Sequence, residues 1–252
     1  MGRRWRSKWA ARGEQAAWPA LKVAIVAHVY YPDLMDEILA CQALLPAGAP
    51  LFVTVSPDRS ALVRAAAVGR KEVFIHEHEN RGRDISPFLT LLSTGVLDCY
   101  DAVLKLHTKR SPHLLDGEIR RKLLFDKLCG NWNTTCRALA AFNEPSTGIV
   151  GWGQCWRATP SYWMANESRV RELAARMQAP DEAVRLGFFE GTMFWFRPAA
   201  LASLRELNLR PAAFEMEARQ LDGTLHHAVE RCFTIAAWSR GFDVRDLNGR
   251  LL

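Results

Sequence analysis

The chain has 252 residues, room for one large domain or two small ones, and 49% of them are hydrophobic, ample for a folded core. Thirty-three Lys and Arg outnumber 27 Asp and Glu, and the resulting +6 suits anionic partners without choosing among phosphates, nucleic acids and acidic lipids. Six cysteines, at 41, 99, 129, 136, 155 and 232, form no C-x-x-C pair and lack the density of a disulfide scaffold, which points to reduced, mostly buried thiols.

No apolar run approaches the roughly 20 residues that span a bilayer, and the start of the chain lacks the apolar core of a signal peptide, so a cytoplasmic location is expected. Residues 1 to 21 read as a basic extension in which Arg3, Arg4, Arg6, Lys8 and Arg12 alternate with Trp5, Trp9 and Trp18. That mixture suits the inner face of an anionic membrane, and equally a frayed end.

Val23 to Val29 is a continuous apolar run of the kind that forms a strand buried on both faces, and a helix is predicted from Leu34 to Leu45. Leu51 to Val55 reads as a second strand, closed by Ser56-Pro57-Asp58, with a helix from Arg59 to Val68. Val73 to His76 supplies a third strand, Ile85 to Leu92 a third helix, and Ala102 to His107 a fourth strand. Alternation of this kind predicts a mostly parallel, doubly wound sheet with helices on both faces. Ligands then bind beyond the carboxyl ends of the strands.

Later, Glu118 to Phe142 reads as one helix whose core face carries Leu123, Leu124, Leu128, Trp132, Cys136 and Leu139. A strand and bent loop are expected within Gly148 to Trp156, and a helix over Ser168 to Met177. Phe188 to Phe196 reads as a strand with Gly191 inside it, followed by a helix from Ala199 to Leu207. A final helix begins near Asp222 and runs to Trp238. No repeat or linker divides residues 22 to 252.

Four segments carry candidate chemistry. Glu79-Asn80-Arg81-Gly82-Arg83-Asp84 lies between the third strand and its helix, where guanidiniums can fork onto phosphate oxygens and a carboxylate can accept from sugar or base. It is also readable as a polar turn with a helix cap. In the fourth strand, period two places Lys105, His107 and Lys109 on one face, next to Thr108. Such donors repel one another unless an anion is present, and a diphosphate fits. Glu190, beside Gly191 and aromatic residues, is a sugar contact or a surface acid. Asp222 stands where a helix N-cap is expected, a rigid position that also suits a general base. His226, His227 and Glu230 are helical neighbours but do not form H-E-x-x-H, so no metal site is assigned.

Together these segments resemble the rhamnan synthesis F family of bacterial polysaccharide glycosyltransferases, from about Lys22 to Asp243. The marks are His28 to Asp33, Glu79 to Phe88, Leu104 to Lys109, Gly191 to Trp195, and Asp222 to Leu225 with Glu230-Arg231. The resemblance implies an α/β, GT-A-like single domain over residues 22 to 252, with a mostly parallel central sheet flanked by helices. It also implies inverting transfer of a deoxyhexose, with rhamnose from dTDP-rhamnose favoured, to a lipid-linked or polysaccharide acceptor such as O-antigen. Family members are often longer, and this chain looks like the core module. On this reading His28, Tyr30, Ser56, Asn80, Arg81, Gly82, Arg83, Asp84, Lys105, His107, Thr108 and Lys109 serve the donor. Asp222, with Glu190 as its alternate, is the catalytic base, and Gly191, Thr192 and His226 meet the acceptor. The Asp-x-Asp pair by which GT-A enzymes usually hold Mg or Mn is not seen, so no cofactor is assigned and cations are expected to take the metal's place. A non-catalytic glycan- or nucleotide-binding module is the rival. No nucleic-acid-binding motif is present.

Overall fold

In the computed structural model, which describes residues 20–108, 117–218 and 220–252, strand and helix alternate through the first half of the chain. They run β1 (Val23–His28), α1 (Met35–Gln42), β2 (Leu51–Val55), α2 (Pro57–Ala66), β3 (Val73–Glu77), α3 (Ile85–Ser93) and β4 (Ala102–His107). The four strands pair in parallel, as expected of buried apolar runs joined by helices. The basic extension lies outside the described residues except for its last two positions, and so does Lys109.

The expected helix from 118 to 142 is two, α4 (Gly117–Cys129) and α5 (Trp132–Ala140). A Cβ at Gly130 would lie 2.4 Å from the backbone of Asp126, and Asn131 then caps α5 by accepting from the Thr134 amide at 3.0 Å. Leu123, assigned to the core face, is 40% exposed instead. The chain continues through β5 (Thr147–Gly151), β6 (Trp156–Arg157) and α6 (Glu167–Arg176). The expected strand from 188 to 196 is also broken, into β7 (Phe188–Phe189) and β8 (Phe194–Phe196). Between them Gly191 (φ 89°) and Thr192 (φ 50°) turn in the left-handed region. Then come α7 (Ala202–Glu206), α8 (Leu225–Ser239) and β9 (Asp243–Asp246).

The central sheet has seven strands in the order β3-β2-β1-β4-β8-β5-β9, mostly parallel, with β8 antiparallel to both neighbours. Successive side chains point to opposite faces, so each strand feeds two cores. Val23, Ile25 and Ala27 meet α1, α2, α4 and α5, while Ala24 and Val26 meet α3, α6, α7 and α8. Trp195 and Phe196, both fully buried, are core residues. Among the described residues no helix is long and apolar enough to cross a membrane.

Candidate functional site

Lys105 and His107 share the face of β4 that looks toward α3 and α8, as period two requires. The anion that Lys105 meets belongs to the chain itself. Its ammonium, 1% exposed, donates to Asp84 Oδ2 at 2.6 Å and to the Thr192 carbonyl and hydroxyl at 3.0 and 3.3 Å. The Thr192 hydroxyl donates to the same carboxylate oxygen at 2.7 Å. Burial alone pushes the Asp84 carboxyl up, but Lys105, His107 and these hydrogen bonds hold it well below the usual carboxylate range. Three protein acceptors thus engage all three N–H groups of Lys105. His107 Nε2 donates to the Gly191 carbonyl at 2.6 Å, so β4 grips the β7–β8 turn at two points.

The corner before α3 is equally constrained. His78 donates from Nδ1 to the Glu79 carbonyl at 2.6 Å and accepts from Thr90 and Ser86. Gly82 (φ 65°) faces Phe214, where a Cβ would lie 2.6 Å away, so its missing side chain makes room for protein rather than ligand. Arg83 is left-handed at φ 53°, a strained conformation for a non-glycine. It donates to Glu217 at 3.1 Å, to the Gln220 carbonyl at 2.6 Å and toward His227 Nε2 at 3.5 Å. Because a guanidinium only donates, His227 carries its proton on Nδ1 and gives it to Thr224 Oγ1 at 2.7 Å, and that hydroxyl faces His226 Nδ1 at 2.9 Å. Burial, reinforced by the neighbouring His227 ring and the Arg83 guanidinium, lowers His226 to about 3.

Beyond the carboxyl ends of the parallel strands opens a cavity of about 460 Å³. It draws Arg83, Asp84, His107, Glu190, Gly191, Thr192, Asp222 and His226 together from the expected set. Glu190 pairs with Arg157 at 2.5 Å. The Asp222 carboxylate accepts from Asn166 Nδ2 at 2.7 Å and the Ala165 amide at 2.9 Å, with Arg231 at 4.0 Å. Burial would raise its pKa, but these donors hold it below the ordinary value. Asp222 is not the cap of α8. Thr224 takes that position, and Glu215 accepts from the Leu225 amide at 2.9 Å.

The other candidates among the described residues do not line the cavity. His28 bonds Thr54 at 3.1 Å, and burial lowers it to about 3. Tyr30 holds Arg59, whose guanidinium donates to its carbonyl at 3.0 Å and lies 3.7 Å above its ring. Ser56 is buried ahead of α2, and Thr108 accepts from the Tyr31 amide at 2.9 Å. Asn80 is exposed, while Arg81 pairs its backbone with Met216. Cavity residues not expected as site residues include Arg120, Arg121, Arg157, Arg231, Trp152, Tyr162 and Glu230. Arg231 and Glu230 were visible as motif members, and Arg157 as a cation directly after a tryptophan-rich loop. Among the described residues no group of three or more His, Cys, Asp or Glu could hold a metal ion.

The family of rhamnan synthesis protein F matches residues 6–242, nearly the whole chain. The chain belongs to that family. Membership ties it to rhamnan and polysaccharide synthesis. It is similar to an uncharacterized protein, WxcX, of Xanthomonas campestris pv. campestris strain B100, 30% identical over 223 residues, which cover 87% of this chain and 32% of the relative. The WxcX protein of strain ATCC 33913 matches with the same figures. The chain thus spans about a third of the length of these curated relatives.

Proposed function

We propose that this member of the rhamnan synthesis protein F family is an inverting glycosyltransferase. It moves a deoxyhexose, rhamnose from dTDP-rhamnose being favoured, onto a hydroxyl of a lipid-linked or polysaccharide acceptor in cell-surface or O-antigen synthesis. The observation that carries this reading is the cavity at the strand ends, where Glu190, Asp222 and Glu230 face Arg83, Arg120, Arg157 and His107. Carboxylates suit proton removal and sugar hydroxyls, cations suit a diphosphate, and Trp152 and Tyr162 offer ring faces to a pyranose.

Asp222, ionised at neutral pH, takes the proton of the acceptor hydroxyl as that oxygen bonds to the anomeric carbon. The bond from that carbon to the diphosphate oxygen breaks on the opposite side, and the nucleoside diphosphate leaves with the electron pair. Glu190 is the alternate base or an acceptor-sugar ligand, and Gly191, Thr192 and His226 flank the acceptor. His107, Arg83 and Lys109 balance the leaving charge in place of a metal. Asp84 and Lys105 serve this site through each other, by fixing the turn at Gly191 and Thr192. The domain so formed spans residues 22–252, working at the cytoplasmic face of the membrane.

One observation favours a non-catalytic binding module: Lys105, Arg83, Arg121, Arg157 and Arg231 each already bond a protein acceptor. Incubation with a panel of nucleotide-sugars separates the two readings. Transfer or donor hydrolysis supports the enzyme, whereas binding without turnover across the panel supports the module.

A further inference from the structure

We propose that Asn166 is a positioning residue that fixes the Asp222 carboxylate for proton abstraction, an inference that rests on Asp222 being the base in the transfer above. Asn166 sits immediately before α6, at the N-cap, yet its side chain makes no capping bond to that helix. An asparagine there ordinarily turns its oxygen back to a helix amide. Here the side chain, 1% exposed, turns its nitrogen instead to Asp222 Oδ1 at 2.7 Å and to the Trp163 carbonyl at 3.2 Å. Both partners only accept, which settles which end of the amide is nitrogen. The oxygen is left buried without a partner. A forgone cap and an orphaned acceptor are both unfavourable, and what the residue gains in exchange is its hold on a carboxylate 56 positions away.

The backbone ahead of it is bent to the same end. Met164, at φ 49° and ψ −133°, occupies a strained conformation, and the next amide, that of Ala165, donates to Asp222 Oδ2 at 2.9 Å. One turn therefore grips both carboxylate oxygens, each from its own donor. Arg231, 3% exposed and fixed on the Tyr162 and His227 carbonyls at 2.8 and 2.7 Å, stands behind the grip at 4.0 Å. Among the described residues the other ionisable groups that share the cavity with Asp222 are Arg83, Arg120, Arg121, Arg157, His107, His226, His227, Cys155, Tyr162, Asp84, Glu190 and Glu230. The amide donor stabilises the charged carboxylate and prevents it from rotating away from an incoming hydroxyl.

The test compares pH profiles of kcat and donor KM for the wild type, Asn166→Ala and Asp222→Asn. Asn166→Ala is expected to lower kcat about tenfold or more with donor KM nearly unchanged, and to move the acid limb of kcat to higher pH. A purely structural asparagine would lower Tm and leave that limb where it was. Should Asn166→Ala fail to fold, Asn166→Ser, which keeps a shorter donor, is read on the same scale. An unmoved acid limb and near-normal kcat, while Asp222→Asn is inactive, overturn the positioning role alone. Near-normal turnover in Asp222→Asn overturns the base and its positioning residue together.

Discussion

Lys105 Nζ lies 2.6 Å from Asp84 Oδ2, joining the middle of the central sheet to the corner that opens α3 with both groups buried. Removing one partner strands a charge away from water, at a cost of roughly 3–5 kcal/mol. Lys105→Met and Asp84→Asn should each destabilise the fold, with Lys105→Met the more severe because it leaves the carboxylate unpaired. The double variant should cost less than the sum of the two. Urea unfolding of the three variants checks this, and simple additivity would show that the two groups are not coupled.

Acid should unfold the protein in two stages. His226 and His28, both lowered by burial to about 3 from 6.5, stay neutral in the fold while the unfolded chain takes up protons. Their contribution is therefore complete above pH 6.5 and lost as pH falls toward 3. Asp84, depressed in the fold, adds stability above its unfolded pKa of about 4 and loses it only below that. Unfolding free energy measured across this range should fall less steeply between pH 6 and 4 in His226→Gln, on the order of one protonating group.

If cations take the metal's place as proposed, transfer should be insensitive to chelation. Turnover measured in EDTA should stay near its untreated value. Complete loss, restored by manganese, would show that a divalent ion holds the diphosphate.

The parallel half of the sheet was legible because buried strands announce themselves as mainly apolar runs, such as Val23 to Val29 and Leu51 to Val55. The shared face of Lys105 and His107 followed from strand period alone. That the anion beside Lys105 is Asp84 did not, since the pair is 21 positions apart and meets only once β3 and β4 are placed in one sheet. Two breaks were visible in retrospect as local chemistry: Gly130-Asn131 splits a helix by a glycine and a cap, and Glu190-Gly191 splits a strand by a turn. The grip on Asp222 was out of reach, because it is built from Ala165 and Asn166, more than fifty positions earlier.

The account turns on Asp222. Turnover of dTDP-rhamnose by Asp222→Asn, set beside calorimetric binding of dTDP, UDP and GDP to the same variant, tests it most directly. The predicted result is a fall in kcat of about 10²–10⁴, the range for loss of a general base, with dTDP bound as tightly as by the wild type. Near-normal turnover in the variant would contradict the account.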